Sequence, residues 1–510
     1  MTSQPRNTTS CDECRRRKLR CDAQQPRCGF CLRSNLACEA SSRGKRGPKR
    51  GHLNALRSRL GQLEEMLQGR VQSPVVIGNV QPMPAIGTQE VTFGNFDESQ
   101  AVSEFEIGLS IDLTVHVELD QLYFDRVHPS FPILHQRSYM AWSRSSTKST
   151  TRLCLQRIMW ILAILLSTQF RDMIEPLYKQ VKRDLELIDC FEVENVQAWT
   201  LLTVCELMRA SYSQAWISAG RVFRLVQALR YHEIDTPDKH NRPQETIDNQ
   251  KTEEKRRVFW MAYFLDHLFS LRNDWPVTLN EHTICTKLPI PDEEFQAGRI
   301  ASGVFLSQAI AEPTPKQPLF NKCLVLVTLC GRVLLRNRHE TISKAYGDCE
   351  TDPNGHWNLL ENIVATRNRM LSHGDSSDPL GTLAIVLGQV VELLFYKGII
   401  KPADNSCYIT KKCCAHALIA VGEIIRLAKG LKDQHVSKVH PMMPMSLFFA
   451  AEFLYENRKL GNSVFLAQLR PMIEALGNLR NVNNHEKSYL DLLPHSCISA
   501  SLGVLEHSKQ

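Results

Sequence analysis

Six cysteines lie between residues 11 and 38 and form two half-units of identical spacing, C-x2-C-x6-C. The first half contains Cys11, Cys14 and Cys21, and the second contains Cys28, Cys31 and Cys38. A Cys-x-x-Cys pair can place two thiolates on one metal ion, and tetrahedral zinc takes four sulfur or nitrogen ligands. Two zinc ions need eight ligand positions, so two of the six sulfurs must be shared. The repeat assigns this sharing to the first cysteine of each half, Cys11 and Cys28.

Three other interpretations of the cysteines compete with a two-zinc module. Three disulfides would need an oxidising compartment and usually a signal peptide, and residues 1–10 contain no apolar core. A metal-storage cluster would not need basic side chains between its ligands, and a single zinc would leave two thiols unused. The basic residues between the cysteines favour two zinc ions in a nucleic-acid-binding module.

The two halves match in their cysteines but differ in charge. The basic residues of the first half are Arg15, Arg16, Arg17, Lys18 and Arg20, and the corresponding residues of the second half are Leu32, Arg33, Ser34, Asn35 and Ala37. One half is therefore predicted to face a polyanion, while the other mainly completes the scaffold. Leu19 and Leu36 occupy matching positions, which predicts the same apolar contact in both halves.

The cysteine spacing and the segment CRRRKLRC resemble the fungal binuclear zinc-cluster transcription factors. The resemblance implies a short helix and an extended strand in each half, with the first helix in the DNA major groove at a CGG triplet. It places Lys18 on the edges of the two guanines, and Lys or Arg donating to guanine O6 and N7 is the commonest specific base contact. Arg15, Arg17 and Arg20 then lie near phosphates. Phe30 stands where many members have a basic residue, so few phosphate contacts are expected from the second half.

The net charge of +7 conceals a division along the chain. Residues 1–70 contain 16 Lys and Arg against 6 Asp and Glu, whereas the remaining residues contain 45 against 48. A basic arm on a nearly neutral body is typical of proteins that bind double-stranded DNA. The arm includes a basic linker, residues 39–52, which contains Arg43, Lys45, Arg46, Lys49 and Arg50. Such a run contacts phosphates or directs nuclear import, although a solvated tether has the same composition.

A leucine heptad pattern follows the basic linker in residues 53–68. The heptad positions are Leu53, Leu56, Leu60, Leu63 and Leu67. Their spacing of 3, 4, 3 and 4 residues predicts a short coiled coil and hence a homodimer. With Leu60 at position a, Arg59 at g faces Glu64 at e of the partner in a parallel pair. Residues 69–114 have no sustained period and are expected to be a flexible linker.

Residues 115–510 are expected to fold as a large all-helical body. Apolar recurrence predicts helices near residues 153–170, 172–190, 194–210, 214–231, 252–271, 318–345, 355–372, 379–399, 408–430, 444–457 and 463–478. Segments such as YFDRVHPSFPIL and EEKRRVFWMAYFLDHLFSL also resemble the middle homology region of the same family. That resemblance implies a regulatory domain, with a small-molecule inducer or a co-regulator as a further partner. Many members have Gly-Arg-Pro where this chain has residues 273–276, NDWP.

The body contains no pattern typical of an enzyme or of a membrane protein. Residues 253–267 include acids, bases and a histidine, but their spacing distributes them around one helix. Ion pairs of Glu253 with Arg256 and Arg257 explain the charges, and His128 and His135 are interpreted as structural. The most apolar run, residues 158–166, is far shorter than the roughly 20 residues of a membrane helix. The other eleven cysteines are expected to be reduced thiols, including the pair at 413–414.

The sequence therefore predicts a mainly α protein with a small binuclear zinc-cluster DNA-binding module at residues 11–38. Residues 1–10 are expected to be disordered, and a short coiled coil and a large all-helical regulatory domain follow the module. The predicted function is a nuclear, zinc-dependent transcription factor that binds CGG triplets and regulates metabolic genes, such as those of a secondary-metabolite cluster. The alternative is a ligand-sensing or scaffold protein whose zinc module only tethers it to chromatin or partners.

Overall fold

The computed structural model describes residues 10–24, 26–38, 112–167, 169–237, 249–299, 301–346, 353–371, 378–399, 408–431, 438–458 and 464–479. These residues form helices and connecting segments, with no strand among them, so the expected mainly helical fold is confirmed. The chain divides into two compact units, Met1–Glu106 and Ile107–Gln510. The basic linker and the leucine heptads lie outside the described residues. Their proposed DNA contacts and coiled coil remain predictions.

The described part of the first unit contains two short helices, α1 (Asp12–Arg16) and α2 (Gly29–Arg33). A cysteine is the N-cap of each helix, Cys11 for α1 and Cys28 for α2. The segments that follow the helices are not paired as strands within residues 10–24 and 26–38, so the strand of each half-unit is absent there. The two helices are held by their cysteines rather than by a sheet.

The described part of the second unit contains fifteen α-helices, besides a π-helical turn and three short 3-10 turns. Helices α3–α9 are Leu113–Leu122, Gln136–Ser143, Thr150–Leu165, Ile174–Leu187, Val193–Met208, Tyr212–Ala228 and Asn249–Asn273. Helices α10–α17 are Asp292–Gln296, Leu306–Ala311, Leu319–Tyr346, Pro353–Met370, Pro379–Ile399, Tyr408–Gly430, Met443–Glu456 and Val464–Asn478. The expected helical stretches coincide with α5–α9 and α12–α17 within about five residues. The short helices α10 and α11 were not predicted, because one turn and a half is too short to show a period.

One apolar core extends through the described helices of the body. Extensive contacts join α12 to α14, α7 to α8, α5 to α7 and α14 to α15. Helix α9 is buried on every side from residue 257 to residue 271. A helix that is buried all round belongs to the interior of a large domain. Helix α9 is therefore the central element against which the neighbouring segments pack.

Helix α14 (Pro379–Ile399) is the one described helix whose length and hydropathy match a membrane span. Within its most apolar window, 83% of the residues are buried inside the body, and the helix packs against α12, α15 and α16. Such burial is typical of a core helix in a large domain.

Arg257 on α9 joins three distant parts of the chain. Its guanidinium donates to the carbonyl of Pro132 at 2.9 Å, the carbonyl of Ile290 at 2.7 Å and Oδ1 of Asp292 at 2.8 Å. It also pairs with Glu253 at 3.3 Å, and Arg256 pairs with the same carboxylate at 3.3 Å. The predicted pairs are thus present, but Arg257 and Glu253 are buried rather than solvated. We call Arg257, Glu253 and Asp292 the Arg257 network.

The two histidines interpreted as structural have contacts that fit this interpretation. Nε2 of His128 lies 3.2 Å from Asp292, which extends the Arg257 network to the segment before α4. His135 is the N-cap of α4, where its Nδ1 accepts the backbone N–H of Ser138 at 3.1 Å. Both side chains therefore fix the entry of the chain into the body.

We expect Arg257→Ala to lower the free energy of unfolding of the body by about 3–5 kcal/mol. The substitution removes one of the donors to the buried carboxylate of Glu253 and leaves the carbonyls of Pro132 and Ile290 without the guanidinium that donates to them. Denaturant unfolding followed by the helical circular dichroism signal measures the effect. Arg426→Ala is the matched control, because Arg426 is exposed and pairs with Glu423 on the same helix. An equal effect of the two substitutions would contradict a structural role of the Arg257 network.

Candidate zinc centre and nucleic-acid interface

The six cysteine sulfurs of the first unit lie in two overlapping groups of four. One group is Cys11, Cys14, Cys21 and Cys28, and the other is Cys11, Cys28, Cys31 and Cys38. All sulfurs of a group lie within 4.8 Å of one another. Cys11 and Cys28 belong to both groups, which is the arrangement that the repeat predicts. Among the described residues, no other cluster of His, Cys, Asp or Glu reaches the density of a metal site.

The distances between sulfurs fit tetrahedral zinc. Sγ of Cys11 lies 3.8 Å from that of Cys28 and 3.7 Å from that of Cys31, and Cys14 lies 3.7 Å from Cys28. A tetrahedron with a zinc–sulfur distance of about 2.3 Å has edges of about 3.8 Å. The donors are all thiols, which suit zinc and exclude calcium or magnesium, since those ions prefer oxygen. The zinc-cluster domain binds two zinc ions, and these residues fit both of them.

The helices stabilise the two shared sulfurs as thiolates. The backbone N–H of Cys14 contacts Sγ of Cys11 at 3.5 Å, and that of Cys31 contacts Sγ of Cys28 at 3.5 Å. These N–H groups lower the pKa of Cys11 and lower the pKa of Cys28 to about 6. Burial has the opposite effect on the second cysteine of each half and raises the pKa of Cys31 to about 12. Zinc uptake must therefore release protons, and acid weakens it.

Asp22 connects the two halves of the unit. Its carboxylate accepts the backbone N–H of Gly29 at 3.0–3.1 Å, at the start of α2. A Cβ on Gly29 would lie 2.6 Å from Oδ2 of Asp22, so only glycine leaves room for this approach. A carboxylate at a helix N-terminus is stabilised by the unpaired N–H groups there.

The apolar contacts of the two halves are not equivalent. Leu36 and Phe30 pack against the buried cysteines. Leu19 is 45% exposed and is not part of this cluster, so the prediction of a repeated Leu19 and Leu36 contact is wrong. Phe30 covers the sulfurs from the second half, which gives a structural reason for an aromatic residue at that position. Leu19 is instead exposed, and its neighbours in the chain are the exposed Lys18 and Arg20.

The first half exposes a continuous basic segment, which the second half lacks. The exposed basic residues are Arg15, Arg16, Arg17, Lys18 and Arg20, whereas residues 32–35 expose one Arg only. Glu13 accepts Arg16 at 2.7 Å and Arg17 at 2.6 Å. These arginines, Arg16 first, lower the pKa of Glu13 to about 2. The carboxylate therefore remains charged and neutralises part of the segment.

Lys18 and Arg20 differ from these arginines because neither makes an ion pair within residues 10–24 and 26–38. Lys18 ends α1 in the left-handed conformation with a φ of 55°, and the N–H of Leu19 returns to the carbonyl of Cys14 at 2.9 Å. Asn35 ends α2 in the same way, with a φ of 49°. The matching backbone places Lys18 and Asn35 at equivalent points of the two halves. Only the first of them carries a charge.

Sequence reasoning did not identify Glu13 and Asp22 as residues of this site. The spacing of three and four residues from Glu13 to Arg16 and Arg17 contains a signal for the ion pairs. No comparable signal exists for Asp22, because its contact with Gly29 spans seven residues of irregular chain.

Two family models match the chain. The model of the fungal Zn(2)-Cys(6) binuclear cluster domain matches residues 9–47, which include all six cysteines. The model of the fungal specific transcription factor domain matches residues 121–336, from the end of α3 into α12. Neither family name describes an enzyme, in agreement with the absence of an enzymatic pattern in the sequence.

Several curated proteins are similar over nearly their full length. The citrinin biosynthesis transcriptional activator of Monascus purpureus is 41% identical, over 99% of this chain and 96% of the relative. The pigment biosynthesis transcriptional activator of Monascus ruber is 36% identical, over 95% and 93% of the two chains. The azaphilone cluster-specific transcription factor of Aspergillus niger is 35% identical, over 84% and 95%.

We expect Cys11→Ser and Cys28→Ser each to disturb both zinc ions, because each sulfur belongs to both groups. Cys21→Ser and Cys38→Ser should each disturb one zinc, because each sulfur belongs to one group. The measurement is the number of zinc ions retained per chain by residues 1–50 during titration with a chelator. The wild-type fragment should hold two zinc ions and lose its helical signal when they are removed. Equal zinc loss in all four variants would contradict the shared-ligand arrangement.

Proposed function

Because the chain belongs to the fungal Zn(2)-Cys(6) zinc-cluster transcription factors, we propose that it binds paired CGG triplets as a homodimer and activates RNA polymerase II transcription in the nucleus. Its coarser function, zinc-dependent transcription regulation through DNA, follows from the family. The finer proposal rests chiefly on one observation: Lys18, at the end of α1, is exposed and makes no ion pair with residues 10–24 and 26–38.

Lys18 is suited to base recognition by its surroundings. An ammonium group that is not engaged with a carboxylate can donate to guanine O6 and N7 without first breaking an ion pair. Arg16 and Arg17 share Glu13 and so keep less net charge for DNA. We therefore assign Lys18 to the bases, and Arg15, Arg17 and Arg20 to phosphates, with Arg16 at the margin. Arg43, Lys45, Arg46, Lys49 and Arg50 are proposed as additional phosphate contacts.

The remaining residue assignments follow the same division of the chain. The ligands of the first zinc are Cys11, Cys14, Cys21 and Cys28, and those of the second are Cys11, Cys28, Cys31 and Cys38. The segment 39–52 is a basic linker, 53–68 a coiled coil, 69–114 a flexible linker and 115–510 the regulatory domain. The nuclear location rests on the role of the relatives in transcription.

The relatives also support a class of target genes. Their names specify citrinin biosynthesis, pigment biosynthesis and an azaphilone cluster, and two are named as activators. We propose that this chain activates a gene cluster for a secondary metabolite, under control of an inducer or co-regulator that acts on the body. The alternative, in which the zinc module only tethers a ligand sensor or scaffold, predicts binding to DNA without preference for CGG.

We expect Lys18→Ala to weaken binding to CGG duplexes by about 1–3 kcal/mol and to remove the preference over altered triplets. Titration of labelled duplexes with the zinc-loaded chain measures both quantities. Asn35→Ala is the matched control, because Asn35 has the same left-handed backbone at the equivalent point of the second half. It should keep the base preference. A Lys18→Ala protein that still distinguishes CGG from altered triplets would overturn the assignment.

The proposed dimer rests on the heptad leucines. Leu53, Leu60 and Leu67 occupy position a, while Leu56 and Leu63 occupy position d. Two heptads make a marginal coiled coil, and an exposed Arg59–Glu64 pair adds only about 0.2–1 kcal/mol. Dimerisation is therefore weak in solution and becomes strong when two zinc modules occupy paired triplets on one duplex. The fifteen residues from Cys38 to Leu53 reach at most about 50 Å, which limits the spacing of the triplets.

We expect Leu60→Asp to remove the gain in affinity for paired over single CGG triplets and to leave single-triplet binding nearly unchanged. A charge at position a opposes burial in the seam. Duplex titration and sedimentation of residues 1–75 measure the two effects. Gln62→Asp is the control, since position c faces outward. A wild-type chain with no gain on any paired site would show that it binds DNA as a monomer.

A further inference from the structure

A cavity of about 210 Å³ lies in the body where the end of α9, residues 274–282 and α12 meet. Much of its wall is apolar and consists of Trp275, Pro276, Val277, Leu334 and Leu335. An apolar cavity of about 150 Å³ accommodates benzene, and pockets for drug-sized molecules begin at about 300 Å³. The volume therefore suits a molecule of one or two rings.

His267 presents a hydrogen-bond acceptor to this cavity. The side chain is 4% exposed, and its Nδ1 lies 2.9 Å from the carbonyl oxygen of Tyr263. Because a carbonyl only accepts, Nδ1 carries the proton, and Nε2 of a neutral ring is the acceptor. Burial lowers the pKa of His267 to about 4, so the ring is neutral in the cell. Within the described part of the chain, Nε2 has no hydrogen-bond partner.

Gly331 on α12 keeps the edge of the His267 ring accessible. A Cβ on Gly331 would lie 2.9 Å from both Cδ2 and Nε2 of His267. Glycine is unfavourable inside a helix, and α12 continues for fifteen residues beyond it. The His267 ring packs on the Tyr263 ring with centroids 4.0 Å apart. A side chain at position 331 would collide with the His267 ring, which explains the glycine there.

Arg338 supplies a cation at the other end of the cavity. It makes no ion pair among the described residues, although it lines the cavity. Arg332 lies between the two ends, but Glu281 engages it through two hydrogen bonds of 2.9 and 2.8 Å. Gly331 and Arg338 are two helical turns apart, about 10 Å along α12. The backbone beside the His267 ring and the backbone of Arg338 are therefore separated by about the length of two fused rings with opposite substituents.

We propose that the cavity binds a flat, one- or two-ring aromatic acid whose hydroxyl group donates to Nε2 of His267 and whose carboxylate lies beside Arg338. Trp275 and Leu335 cover the rings. This site deepens the proposed function, on which its regulatory consequence rests, because a ligand here joins residues 274–282 to α12. The binding itself depends only on the body.

The first test titrates the zinc-loaded full chain with hydroxynaphthoic acid that carries its two groups on opposite rings. Quenching of tryptophan fluorescence reports binding, since Trp275 lies in the wall. Naphthoic acid lacks the hydroxyl group and naphthol lacks the carboxylate, and each should bind about tenfold more weakly. Equal affinities for the three compounds, or no binding of any, would overturn the proposal.

The second test fills the mouth of the cavity. Leu335 is 66% exposed, so Leu335→Trp should fold and should weaken binding of hydroxynaphthoic acid at least tenfold. Ile342→Trp is the matched control, because Ile342 is also exposed on α12 but does not line the cavity. Arg338→Gln should remove the preference for the acid over naphthol. Wild-type affinity in Leu335→Trp would place the ligand elsewhere and refute the site.

A CGG duplex titration of the same preparations separates this inference from the proposed function. Normal CGG preference without binding of hydroxynaphthoic acid refutes the ligand site alone. Ligand binding that Leu335→Trp abolishes, in a chain without CGG preference, supports the site and refutes the DNA proposal.

Discussion

Two thiolates shared between two metal positions determine whether the DNA-binding unit has a structure. Within residues 10–24 and 26–38, the buried side chains of this unit are Cys11, Cys14, Cys28 and Cys31, and the hydrophobic side chains packed against them are those of Cys21, Phe30, Leu36 and Cys38. So short a segment cannot bury enough apolar surface to fold alone, and its folding free energy comes from metal binding. Cys11 is the N-cap of α1, and the left-handed turn at Lys18 follows the end of this helix. The exposed position of Lys18 therefore depends on zinc through the backbone, although Lys18 is not among the zinc ligands.

The duplicated scaffold separates metal binding from recognition. Each half has a cysteine as the N-cap of its helix and a left-handed residue after the helix, so the same backbone positions the cysteines for zinc in both halves. The side chains between the cysteines are then free to differ, and only the first half exposes a basic segment. Glu13 reduces the net charge of that segment. Because nonspecific affinity rises with each phosphate neutralised, a carboxylate there lowers attraction to all DNA without engaging Lys18, the residue proposed to contact bases.

The sequence was sufficient where a local rule decides the structure. The cysteine spacing predicts which four sulfurs surround each zinc ion. Apolar periodicity likewise predicts the residues at which α14 and α15 begin and end. Periodicity specifies which residues are buried but not which distant segment covers them. The contact of Arg257 with Asp292, 35 residues away, and the cavity beside His267 were therefore not predictable. Leu19 shows the same limit, since its equivalence to Leu36 in spacing did not specify what packs on it.

A ligand in the body can regulate transcription only through different affinities for two states of the protein. Helix α9 carries the Arg257 network near its start and His267 ten residues later, about 15 Å along the same axis. It is buried all round, so a ligand does not deform it independently of its neighbours. The elements that can differ between the two states are the two segments that pack on α9, namely residues 274–282 and α12. A tenfold difference in affinity shifts such an equilibrium tenfold, whereas near-complete switching from 1:99 to 99:1 needs about 10⁴-fold. A ligand whose affinities for the two states differ about tenfold would therefore give graded control of the body rather than an all-or-none switch.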